Sequence, residues 1–133
     1  MGPVVADTHA IVWYLLASEK ISAKAMAALD EANAAGDPIF IASISAVEVV
    51  YLIEKGRLPE VTLERLINTI TEPDSGFTVV PLDLGIVQAI RKIPRDVVPD
   101  IADRIIAATA FHLNLPLVTR DRRIQKTGII TIW

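Results

Sequence analysis

Five short apolar runs constrain this chain more than any other feature. They are Pro3 to Ala6, Ile39 to Ala42, Phe77 to Val80, Leu117 to Thr119 and Ile129 to Ile132. Most are β-branched, and they run on without the polar alternation of a strand that has one wet face. Such runs suit parallel strands covered on both faces, and parallel neighbours need long crossovers between them. The intervening segments supply helices. Ala10 to Ala17 is apolar enough for one; Ser22 is an N-cap for a second that shows Ala25, Met26, Leu29 and Ala32 on one side and stops at Gly36. Ser45 opens a third that runs to about Lys55 and stops at Gly56, and Leu63, Leu66, Ile67 and Ile70 space a fourth over Thr62 to Thr71. Asp83 caps a short helix stopped near Pro94, and Asp100 or a neighbour begins a longer one through Ala110. The expectation is an α/β chain of three layers, forming one domain over residues 1–133.

Each of the first, second and fourth strands leads to an acid, and another opens the helix before the fourth strand. Asp7 follows the first strand and Asp121 the fourth; Glu48 stands in the first turn of the helix opened by Ser45; Asp103 stands at the start of the helix entered at Asp100. In open parallel sheets, ligands bind outside the carboxyl ends of the strands, near the switch in strand order. A parallel sheet therefore brings these four acids to one edge. Each also has a local structural reading: Ser45-x-x-Glu48 fits a capping box, and Asp7, Asp100, Asp103 and Asp121 fit helix starts or turns. Gathered together, the carboxylates repel one another, and a hard divalent cation removes that cost. Mg²⁺ takes a few carboxylate oxygens with water and phosphate as further ligands, and supplies the polarisation that phosphodiester hydrolysis needs. Zinc suits the chain poorly, with only His9 and His112 and no cysteine.

Charge and hydropathy fit that reading once the acids are set apart. The net charge is −3, but with four of the 16 acids at a metal site, 12 remain against 13 Lys and Arg. The densest basic run, Arg120, Arg122, Arg123 and Lys126, adjoins Asp121 and is either a solvated face or a phosphate-steering patch. Arg104 pairs with a site carboxylate or with nucleic acid. His9, His112, Trp13 and Tyr14 read as structural: His112 suits the negative end of its helix, and the two aromatics suit a core or an interface between copies. A mean hydropathy of +0.44 with 52% hydrophobic residues points to a partner or second copy over part of the surface. No run is long enough to span a membrane, no leader is evident, and with no cysteines a cytoplasmic protein is expected.

Taken in order, Asp7-Thr8-His9 with Trp13, Ser43-x-Ser45-x-x-Glu48, Pro99-x-x-x-Asp103-Arg104-x-x-Ala107-x-x-Ala110 and Thr119-x-Asp121 resemble a PIN domain, more narrowly a VapC-type toxin ribonuclease. The resemblance covers nearly the whole chain. It implies a Rossmann-like sheet of order 3-2-1-4-5, mostly parallel, and an endoribonuclease dependent on Mg²⁺ or Mn²⁺. It also implies an RNA substrate, a homodimer and a cognate VapB-type antitoxin. By position, Asp7, Glu48, Asp103 and Asp121 are the acidic quartet. Asp7 and Asp103 ligate the metal directly, Asp121 directly or through water, and Glu48 orients or deprotonates the attacking water. Thr8 and Thr119 supply hydroxyls that position water or phosphate, Arg120 and Arg122 position substrate, and Asp100 assists or merely caps. A PIN-fold module that binds RNA or protein without cutting is the alternative. A haloacid-dehalogenase-type phosphatase needs an acid where His9 stands, and a receiver domain needs one where the third strand runs into Val80-Pro81-Leu82.

Overall fold

The chain places both faces of its sheet in the core, which explains its unbroken apolar runs. In the computed structural model, which describes residues 2–133, the strands are β1 (Val4–Ala6), β2 (Ile39–Ala42), β3 (Phe77–Val80), β4 (Leu117–Val118) and β5 (Thr131–Ile132). They form one sheet of order β3-β2-β1-β4-β5, and every pairing is parallel. The expected order stands, and "mostly parallel" becomes wholly parallel. Successive residues of β1 serve opposite cores: Val4 and Ala6 pack in one hydrophobic cluster and Val5 in the other. In the same way Val118 joins the first cluster and Leu117 the second.

The helices divide between these two faces. The first face is covered by α1 (Thr8–Leu15), α2 (Ala23–Ala35), α3 (Ser43–Glu54) and α4 (Val61–Thr71), through Ile11, Leu29, Val49 and Leu66. The second is covered by α5 (Leu84–Ile90), α6 (Ile101–Leu113) and α7 (Arg122–Gln125), through Ile86, Ile106 and Ile124. Caps place several boundaries where the sequence put them. The Ser22 hydroxyl accepts from the Ala25 amide at 3.0 Å, and Gly36 ends α2 in the left-handed region at φ 75°. Asp83 accepts from the Ile86 amide at 3.0 Å, and Asp100 from the Asp103 amide at 3.1 Å.

Three expectations need correction. The first helix starts at Thr8 rather than Ala10, because Asp7 caps it. The third starts at Ser43 rather than Ser45, after Ala42, with no side-chain cap. Ser45 is therefore no N-cap; its hydroxyl is wholly buried and spent elsewhere. The last two strands are shorter than their apolar runs, since β4 and β5 pair over only two residues each, and the four-residue α7 lies within the basic run.

The sheet order fixes where a ligand goes. From β1 the chain moves outward through β2 and β3, then crosses back to β4 on the other side of β1. The carboxyl ends of β1 and β4 thus flank the switch point.

One buried group fits its place poorly. Thr62 Oγ1 is buried and has no hydrogen-bond partner among the described residues. Thr62→Val keeps the shape and removes the unsatisfied hydroxyl, so it should raise the free energy of unfolding by about 1 kcal/mol; chemical denaturation measures this, and a loss of stability would show that the hydroxyl is satisfied.

Candidate active site

Asp7 leaves β1 directly into the switch point, and both of its carboxylate oxygens are engaged. Oδ1 accepts from the Ala10 amide at 2.8 Å, capping α1, and Oδ2 accepts from the Thr119 hydroxyl at 2.5 Å. The Asp7 amide in turn donates to the Val118 carbonyl at 3.1 Å, locking the ends of β1 and β4 together. Burial pushes the Asp7 carboxyl above its ordinary range, and Glu48 adds to that; Thr119, the Ala10 amide and His9 pull the other way.

Thr119 joins two acids. Fully buried, it donates to Asp7 while its oxygen accepts from the Asp121 amide at 3.0 Å. Asp121 caps α7 by accepting from the Arg123 amide at 2.9 Å.

Glu48 lies in the second turn of α3, since that helix begins earlier than expected. The Thr8 hydroxyl lies 2.5 Å from Glu48 Oε1 and 2.9 Å from Ser45 Oγ. A hydroxyl carries one proton. Thr8 donates it to the carboxylate, and Ser45 then donates to Thr8, forming a chain from Ser45 through Thr8 to Glu48. Both threonine hydroxyls are thus turned onto carboxylates from buried positions.

Opposite them, at the start of α6, stand Asp100 and Asp103. Glu48, Asp100 and Asp103 each offer a carboxylate oxygen, and these atoms all lie within 4.8 Å of one another. Asp100 therefore sits with the acids while also capping its helix. Asp103 is half-buried, and its carboxyl is pushed up to about 7, first by burial and then by the negative charges of Asp100, Asp121, Glu48 and Asp7. Five carboxylates consequently share one field. Such crowding of hard oxygen donors fits a hard divalent cation.

The basic residues take different parts. Among the described residues Arg104 pairs with no carboxylate: its guanidinium donates to the Ile93 carbonyl at 2.8 and 3.1 Å and to the Ile90 carbonyl at 3.1 Å, closing the end of α5 against α6. Arg122, Arg123 and Lys126 are exposed around α7. Arg120 instead lies over the Trp13 ring, 4.8 Å from its centroid. Trp13 is a core residue, tilted against His9 and Trp133 at 5.3 and 5.8 Å. Tyr14 donates to Asp30, tying α1 to α2, and burial with that bond pushes its hydroxyl up to about 12. Sequence reasoning passed over Ser45 as a site residue; the pattern Ser45-x-x-Glu48 was its only signal, and it reads equally as a cap.

Fold and site together define an open, wholly parallel α/β domain with an acidic centre at its switch point, where Glu48, Asp100 and Asp103 could hold a cation. Among the described residues no helix is long and apolar enough to cross a membrane. The chain belongs to the PIN domain family, whose sequence profile matches residues 4–130. It is 26% identical over 137 residues to Ribonuclease VapC22 of Mycobacterium tuberculosis (strain ATCC 25618 / H37Rv), covering 100% of both chains. Its fold is similar to that in the crystal structure of VapBC2 from Rickettsia felis bound to a DNA fragment from their promoter, with a TM-score of 0.71, 17% identity and coverage of 97% of this chain and 96% of that one. The crystal structure of FitAcB from Neisseria gonorrhoeae is also similar, with a TM-score of 0.65, 20% identity and coverage of 96% and 95%.

The raised Asp103 carboxyl sets a pH dependence for the metal-free protein. Its folded value, about 7, lies above its unfolded value of 3.8, so the folded state holds the extra proton and stability falls as pH rises from about 4 to about 7. Asp103→Asn should flatten that decline and raise the metal-free melting temperature above the window. Thermal melts in EDTA on both sides of the window measure this, and a lower melting temperature for the variant would speak for a structural carboxylate there.

Proposed function

We propose that this chain is a metal-dependent endoribonuclease and the toxin of a VapBC-type toxin–antitoxin pair. The observation that carries the reading is the convergence of Glu48, Asp100 and Asp103 within 4.8 Å, in the shared field of Asp7 and Asp121, at the switch point of the sheet. The VapC22 relative and the VapBC2 structure support the choice of RNA as substrate and of a VapB-type antitoxin as partner. Exposed Leu84 and Ile101, together with the high mean hydropathy, support a homodimer.

Asp7, Asp103 and Asp121 are assigned to hold Mg²⁺ or Mn²⁺, with Asp100 as an accessory acid. When bound, the cation polarises the scissile phosphate and offsets the negative charge that builds up during hydrolysis. Glu48 takes the proton of the attacking water as its oxygen bonds to phosphorus; the P–O bond to the leaving ribose oxygen breaks, and that oxygen takes a proton from solvent. Thr8 donates to Glu48 Oε1, which makes that oxygen the less basic of the two and Oε2 the preferred acceptor. Thr119 fixes the Asp7 carboxylate in one rotamer, and Thr8, backed by Ser45, does the same for Glu48. Arg120 and Arg122 receive the phosphates on either side.

Antitoxin-free protein should cleave a panel of structured RNAs with Mg²⁺ or Mn²⁺ and not with EDTA, and Asp7→Asn prepared identically should be inactive. Equal cleavage by both proteins would indicate a contaminating nuclease. No cleavage together with no calorimetric Mn²⁺ binding would leave a binding module.

The positioning hydroxyls give a graded test. Thr119→Val removes the donor to Asp7 and should lower activity or metal affinity by about 10–100-fold while leaving the fold intact. Thr119→Ser should restore most of the loss. Undiminished activity in Thr119→Val would show that Asp7 is held by the helix cap alone.

A further inference from the structure

Beside the acids lies a cleft of about 410 Å³ lined by His9, Trp13, Lys20, Leu52, Arg57, Leu58 and Arg120. Two of these residues are chain neighbours of the site: His9 follows Asp7-Thr8, and Arg120 stands between Thr119 and Asp121. At both strand ends, the acids belong to the cluster while the adjacent basic residue lines the cleft. The two features therefore share an edge.

Lys20, Arg57 and Arg120 are exposed. Arg120 and Lys20 are both drawn to the same indole, with Arg120 4.8 Å and Lys20 5.9 Å from the Trp13 ring centroid. A cation held over an aromatic ring keeps its full charge and loses freedom, so it is preorganised for an anion. Arg104 shows the contrast, because its guanidinium is already spent on carbonyls. Trp13 is 7% exposed, too deep to act as a stacking platform for a base.

A polyanion brought to five carboxylates is repelled everywhere except at the cation, and the nucleotides flanking the scissile bond need positive charge next to it. We propose that this cleft is the track for the phosphate backbone of single-stranded RNA leaving the acidic centre, with Lys20, Arg57 and Arg120 each facing a phosphate. The track takes backbone charge and not base identity, so affinity through it is independent of sequence. It rests on the nuclease reading above, and beyond the phosphate that Arg122 receives it carries the strand along the α1 side of Asp7 instead of further along α7 to Arg123 and Lys126.

The test is anisotropy of fluorescently labelled oligouridine and oligoadenosine in EDTA, titrated over a series of KCl concentrations, with cleavage of an RNA panel measured in parallel. Lys20→Gln, Arg57→Gln and Arg120→Gln should each weaken both oligonucleotides several-fold and lower the slope of log affinity against log salt by about 0.7. Arg120→Lys should restore the slope, which mere misfolding would not allow. Arg65→Gln, an exposed cation of α4 outside the cleft, should change neither quantity. If the wild type cleaves but the three cleft variants keep affinity and slope, the track is wrong and the nuclease reading stands. The same holds if Arg122→Gln and Arg123→Gln alone lower the slope. If the wild type neither binds nor cleaves RNA, both fall together.

Discussion

The bond from Thr119 to Asp7 is the contact on which the site depends. Asp7 is a carboxylate placed by β1 where apolar packing ends, and left to itself it would take up a proton or turn away from its neighbours. Thr119 reaches it from β4 because those two strands pair in parallel, Ala6 beside Val118, so the residues that follow them emerge side by side. The same oxygen accepts from the Asp121 amide and so ties the fourth-strand acid to the first-strand one. Sheet register, a wholly buried hydroxyl and two acids are thus a single arrangement; shifting β4 by one residue would turn Thr119 to the opposite face and break it.

Around that anchor, the other acids are brought in by the first two turns of α3 and the start of α6. α3 carries Glu48 inward from the end of β2, and α6 brings Asp100 and Asp103 back across the sheet after the long crossover from β3. The cost of crowding is visible in Asp103, whose carboxyl is pushed up to about 7. Apolar packing of Ile106 and neighbouring alanines below α6 holds the helix against the sheet, so the acids cannot separate to relieve their repulsion. Stability is thereby lost locally and made up by the core on both faces.

Much of this was legible in the sequence because it rests on local chemistry. Unbroken β-branched runs report burial on two faces, and Ser22, Gly36 and Asp83 announce helix ends through their own side chains or backbone freedom. What stayed hidden depends on distant partners. Ser45-x-x-Glu48 has the spacing of a capping box whether or not it caps; only the approach of α1, with Thr8, shows that the serine hydroxyl points into the site. Arg104 looked like a partner for an acid, but the Ile90 and Ile93 carbonyls at the end of α5 claim it, the Ile90 oxygen accepting from the Ile93 amide as well. Lys20 and Arg57 lie far from any motif and join the cleft only through Trp13 and the packing of α3 against α1. β4 and β5 were overrun by Thr119 at one end and by Ile129 and Ile130 at the other, although the Thr119 amide and the Ile130 carbonyl still bond across to the neighbouring strand.

Three of the acids, Asp7, Asp100 and Asp121, serve also as N-caps of α1, α6 and α7. Capping asks only for a side-chain oxygen, and asparagine supplies one as well as aspartate does. Folding and the proposed chemistry therefore make unequal demands on the same residues: a cap can be made by the amide, whereas the cation we propose would need the charge. On the reading proposed above, a single nucleotide change in an Asp codon would leave a chain with its surfaces in place and its chemistry gone, an inert decoy competing with its active sibling for every partner the surface can hold.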